Sequence, residues 1–137
     1  MHKLPTDQQI MQCIFEMYAQ EYPHPKGAPK TERARVYVPM DVAAVAAKLR
    51  CDAELTFGRL YYHLDTKHGY SQDDGAKVHL FALKLGNERH CVNYPYLAAL
   101  LAEKKLKHWR FWLTLTVSVV VLIVSVAAIV AQIATAK

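Results

Sequence analysis

The stretch DVAAVAAKLRCDAELTFGRLYYHL, residues 41–64, decides the fold. Pro39 and Asp41 open a helix whose buried stripe is Val42, Val45, Ala46 and Leu49. Arg50-Cys51 is then a tight turn between two helices. Asp52 is a good N-cap for the next helix, because a carboxylate can accept the first free backbone N–H groups, and Glu54 suits the positive end of that helix. Leu55, Leu60, Tyr61 and Leu64 continue the apolar pattern, and Gly69 lies where a helix usually stops.

Upstream, Thr6 and Gln9 match a capping box, and Ile10, Cys13, Ile14, Met17 and Tyr18 follow at helical spacing. A first helix is expected from about Asp7 to Glu21, ended by Pro23 and Pro25. Residues 23–35, PHPKGAPKTERAR, have no apolar period and read as a flexible loop. Val36-Tyr37-Val38 is long enough only for a small strand. Downstream, SQDDGA at 71–76 is polar and turn-rich. Val78–Leu85 and Arg89–Tyr94 flank Gly86-Asn87, the pattern of a tight β-hairpin. Pro95 suits a helix start, and Tyr96, Leu97, Leu100, Leu101 and Leu106 carry a fourth helix onward.

That helix leads into FWLTLTVSVVVLIVSVAAIVAQIA, residues 111–134, which holds no charge. At about 1.5 Å per residue it is roughly 36 Å long, enough to cross a hydrocarbon layer of about 30 Å with some tilt. Lys104, Lys105, Lys107 and Arg110 precede it, with Trp109 and Trp112 at the boundary. Basic residues favour the cytoplasmic side and tryptophan the headgroup level. The expected organisation is therefore a cytosolic domain at 1–103, a basic juxtamembrane segment at 104–110, one transmembrane helix at 111–134 and a short tail at 135–137. The expected location is the inner (cytoplasmic) membrane, single pass, N-terminus cytoplasmic, with post-translational insertion as in tail-anchored proteins. Residues 1–12 have no apolar core of a signal peptide.

The net charge of +5 is local. Glu103, Lys104, Lys105, Lys107 and Arg110 contribute +3, and Lys26, Lys30, Glu32, Arg33 and Arg35 contribute another +3. With Lys137 set aside as well, the remainder is slightly acidic. The juxtamembrane cluster fits contact with anionic membrane lipid. Cys13, Cys51 and Cys91 are odd in number and widely spaced, which fits reduced, small core residues.

Helix, small strand, helix, tight turn, helix, hairpin, helix is the order of a winged helix-turn-helix domain. Residues 41–64 and KVHLFALKLGNERHCVNY at 77–94 carry the resemblance, which covers roughly residues 5–103. The fold class it implies is α+β, mostly α: three helices and a hairpin wing, then a helix leading into the transmembrane helix. Two positions depart from the pattern. Arg50 stands where such turns often have glycine, and the apolar phase of the third helix starts late, at Leu55 and Leu60.

Winged helices often place the third helix in the DNA major groove. The resemblance also implies membrane-bound transcription activators, which join such a domain through one span to a sensor. Only residues 135–137 of this sequence follow the span, so a sensor of that kind is not expected. Here the third helix carries Asp52, Glu54 and Asp65 against Arg59, a poor charge for approaching phosphates. Lys84 and Arg89 on the hairpin, with Arg59, are the candidate DNA contacts, and Glu88 lies beside them. Nucleic acid is thus the disfavoured partner and a protein the favoured one. Tyr61, Tyr62, Tyr70, Tyr94 and Tyr96 offer contact surface or packing.

The span carries its own pattern. Thr114, Ser118, Ser125, Gln132 and Thr135 share one heptad seam with Phe111, Val121 and Ala128, and only Thr116 lies off it. Small and hydroxyl side chains let helices approach closely, so self-association, or pairing with a partner's span, is expected. The competing reading is that the hydroxyls bond only their own helix backbone.

No P-loop, G-x-G-x-x-G, G-x-S-x-G or H-E-x-x-H occurs. His63 and His68 do not share a helix face, and His79 and His90 could share a hairpin face but lack zinc-type partners. Asp73-Asp74 reads as a solvated turn. Neither an enzyme, a metal nor a cofactor is expected. A membrane-anchored interaction protein is the leading expectation, with a membrane-tethered DNA-binding regulator and a structural subunit of a membrane complex as alternatives.

Overall fold

A computed structural model describes residues 4–22 and 35–136. Most of the expected 23–35 loop, and Lys137, lie outside the described residues. The chain is mixed α+β and mostly helical, with a long C-terminal helix. It divides into two compact units, residues 1–101 and 102–137.

In the first unit, α1 spans Asp7–Tyr18. The capping box forms as expected, with the Thr6 hydroxyl accepting from the Gln9 N–H and the Gln9 side chain accepting from the Thr6 N–H. The helix ends earlier than the expected Glu21, and Ala19 is its C-cap. Strand β1, Tyr37–Pro39, leads to α2, Val42–Leu49, which Asp41 caps by accepting from Ala43 and Ala44. Arg50 then turns the chain at φ 54°, in the left-handed region. This is the conformation that favours glycine at a helix end, so the departure from the helix-turn-helix pattern is a real backbone cost.

The third helical run starts as α3, Ala53–Gly58, capped by Asp52 as expected. It widens into a π-helical stretch, Arg59–Leu64, and closes as α4, Asp65–His68. The π geometry is direct: the Asp65 N–H donates to the Leu60 carbonyl, five residues back. Here one expectation fails. Leu55 is 56% exposed, and Thr56 takes the buried place. Thr56, Leu60 and Leu64 are all within 2% of full burial. A strict four-residue spacing drifts around an α-helix of 3.6 residues per turn, and the wider π turn offsets that drift. Buried Thr56 is satisfied, because its hydroxyl donates to the Asp52 carbonyl. Gly69 does stop the helix, in extended rather than left-handed geometry. A Cβ there would lie 2.6 Å from the Asp65 carbonyl oxygen.

The polar turn at 72–76 joins a short antiparallel pair absent from the expectation, β2 (Tyr70–Ser71) and β3 (Lys77–Val78). The main hairpin therefore starts at Phe81 rather than Val78, as β4 (Phe81–Leu85) and β5 (Glu88–Asn93). Leu85 pairs with Glu88 across Gly86-Asn87, confirming the two-residue loop, with Gly86 at φ 60°. The small strand β1 pairs antiparallel with β5, giving sheet order β1-β5-β4. The last helix, α5, runs Tyr94–Thr135, and the Asn93 side chain accepts from the Tyr96 N–H at its start. The core is built from Ile10 and Ile14 of α1, Val45 of α2, Leu60 and Leu64, Phe81 and Val92 of the hairpin, and Leu97 and Leu101 of α5. Burial of such aliphatic and aromatic side chains is the main stabilising term, roughly 1.5–3 kcal/mol each before entropy.

The second unit is the remainder of α5. An 18-residue window of this helix has mean hydropathy 2.8 and none of it is buried, so the helix is long and apolar enough to cross a membrane.

Candidate functional site

The residues expected at a membrane interface lie on consecutive turns of α5. Lys104, Lys105, Lys107 and Arg110 precede the apolar stretch, and Trp109 and Trp112 are 69% and 52% exposed. Lys107 pairs with Glu103 one turn back. The Trp112 indole N–H donates to His108 Nε2 at 3.0 Å.

Along the span, Thr114 donates to the Arg110 carbonyl, Ser118 to Thr114, Ser125 to Val121 and Thr135 to Ala131. Each of these hydroxyls therefore satisfies its proton within its own helix. Hydroxyl oxygens remain acceptors after donating, and Ala128 keeps the same face low.

The three candidate DNA contacts are in different situations. Arg59 is ion-paired with Asp7 of α1. His63 and Lys67 reach the same carboxylate, each at 3.1 Å. Burial opposes the charge on Asp7, but hydrogen bonds from Lys67, His63 and Arg59 outweigh it and hold the carboxyl at about 2. The cations of the third helical run are thus gathered onto α1. Lys84 and Arg89 differ: they are exposed and face each other across the hairpin. The nearby acid Glu88 is held by Arg35 at 3.0 Å.

The tyrosines split in two. Tyr94 is 4% exposed and donates to the Phe15 carbonyl, while Tyr96 donates to the His68 carbonyl. These are packing residues. Tyr62 is 78% exposed and Tyr70 is 49% exposed.

One cluster was not anticipated. His90, within β5, sits at φ 56°, a conformation that histidine adopts more readily than most residues but that still carries a cost. Its Nδ1 is 2.8 Å from the Tyr61 hydroxyl. Phe57 packs against both Tyr61 and His90. Burial pushes the Tyr61 phenol up to about 12, with Cys91 and Asp65 adding to it, so it stays protonated at neutral pH. His79, considered with His90 as a metal pair, instead bonds Asp65 at 2.8 Å. Asp65 also accepts from the Leu80 and Phe81 N–H groups and so ties the helical run to the hairpin base. Among the described residues no group of His, Cys, Asp and Glu could hold a metal ion. Cys13 and Cys91 are buried, Cys51 is partly exposed, and all three are free thiols.

Compared with known proteins, the chain matches no family model, no curated protein and no solved structure.

Proposed function

We propose that this chain is a non-catalytic, single-pass, membrane-anchored interaction protein that presents a winged-helix-like domain at the cytoplasmic face of the inner membrane. The observation that carries the reading is the uncharged, unburied stretch of α5, preceded by four basic residues and flanked by tryptophan. The winged-helix assignment is supported by element order and by the β1-β5-β4 sheet, in which the small strand after α1 joins the hairpin edge. The heptad seam of the span supports self-association or pairing with a partner's span.

A protein partner ranks above DNA because Arg59 and Lys67 are engaged by Asp7, while Asp52 and Glu54 remain at the start of the third run. Phosphate neutralisation, which dominates DNA affinity, is then left to few groups. The tethered-regulator reading keeps one specific support, the exposed Lys84 and Arg89 with Glu88 diverted to Arg35. A structural subunit of a membrane complex would co-purify at fixed stoichiometry. The deciding test titrates the full chain, held in a non-ionic detergent, with mixed duplex DNA at low and moderate salt. The interaction reading expects no binding at low salt beyond that of an Arg110-proximal basic peptide alone. Sequence-selective binding that weakens with salt would make the chain a tethered regulator.

A further inference from the structure

Phe57 stands in an aromatic corner. The Tyr62 ring lies 6.1 Å from it at 80°, and the His90 ring lies 6.0 Å from it at 89°. All three line one open groove of about 580 Å³ formed by the start of α2, α3 and β5. Asp41 and Glu54 share the wall, and among the described residues no lysine or arginine lines it. Asp41 spends one oxygen on the α2 cap. Glu54 forms no ion pair among the described residues. The corner is held in place from behind, because Tyr61 bonds His90 and packs on Phe57.

We propose that this groove docks an arginine side chain carried on a basic peptide segment of a protein partner. The proposal rests on the interaction reading above and gives the partner its chemistry. Aromatic faces carry negative charge density and attract cations. Two carboxylates on the same wall supply the complementary charge. A guanidinium is planar, stacks on rings and donates in a fork that matches a carboxylate, so it uses both kinds of wall at once. A phosphate backbone brought to the same groove would meet Asp41 and Glu54 and be repelled.

The test uses the full chain in a maltoside detergent and a fluorescein-labelled peptide of alternating glycine and arginine, with a glutamate-for-arginine peptide as counterpart. Anisotropy at low salt should show saturable binding of the arginine peptide and none of the glutamate peptide. Tyr62→Ala should weaken binding about two- to fivefold, the range for an exposed cation–π contact. Glu54→Gln should weaken it about twofold. Both side chains are exposed, so the fold should survive, and far-UV circular dichroism checks this. Lys84→Ala with Arg89→Ala should leave binding unchanged. No binding of the arginine peptide overturns the proposal. Equal binding by wild type, Tyr62→Ala and Glu54→Gln also overturns it, while leaving a protein partner elsewhere on the surface. Salt-sensitive, sequence-selective binding of duplex DNA instead would overturn the interaction reading itself.

Discussion

The Tyr61 hydroxyl and His90 Nδ1 lie 2.8 Å apart, joining the π-helical stretch to a strand residue held at positive φ. Two locally costly conformations thus support each other across the domain, since the wider turn presents Tyr61 and the bond fixes the histidine ring. A typical net value for such a partly buried bond is about 1 kcal/mol. Tyr61→Phe should therefore lower the urea midpoint of the full chain by the equivalent of about 1 kcal/mol. Tyr62→Phe, on the neighbouring exposed ring, should leave it unchanged and so serves as the control.

Arg50 offers the opposite case. Its left-handed backbone at φ 54° costs a residue with a Cβ about 1 kcal/mol relative to glycine. Arg50→Gly should raise stability by about that amount in thermal unfolding. Arg50→Ala, which keeps the Cβ, should not.

Asp7 should make the domain acid-sensitive. Its carboxyl is held at about 2 against an ordinary 3.8, so the folded state favours the charged form. Its contribution is fully present above pH about 4 and is lost as pH falls toward 2. Asp7→Asn should cost about 1 kcal/mol at neutral pH, because its partners Arg59, His63 and Lys67 are half-exposed. The same change should flatten the stability profile between pH about 4 and about 2. An unaltered profile would show that these three partners contribute nothing through this carboxylate.

The seam of the span makes a separate prediction. Ser118 and Ser125 already donate to their own helix, so the proposed association draws on close approach rather than on a donated bond. Replacing Ser118, Ser125 and Gln132 together by Leu should reduce dimerisation in a transmembrane-association reporter. An unchanged signal would mean the alignment with Thr114 and Ala128 is accidental.

The features legible in the sequence are those whose cause lies within a few residues. The Thr6–Gln9 capping box and the Asp41 and Asp52 caps each depend on a side chain reaching its own neighbours, and the Gly86-Asn87 loop on the positive φ that glycine allows. The exchange of Leu55 for Thr56 was not legible, because the π turn answers to packing of Leu60 and Leu64 rather than to local propensity. Nor was the use of Arg59: its partner Asp7 is 52 residues away in the chain. The role of His90 was not legible either, because histidine carries no sequence mark for positive φ, and its partner Tyr61 is 29 residues away. A phenylalanine next to Gly58 and four residues before Tyr61 was the available signal for the cluster.

The central claim is that α5 anchors the chain in a membrane, and alkaline carbonate extraction of cells expressing the full chain tests it most directly. Carbonate strips proteins held by charge or by peripheral contacts and leaves spanning helices in the bilayer. The account predicts that the chain stays in the membrane pellet, and that Val121→Arg with Val124→Arg, mid-span, moves it to the supernatant. Recovery of the unaltered chain in the supernatant would contradict the account.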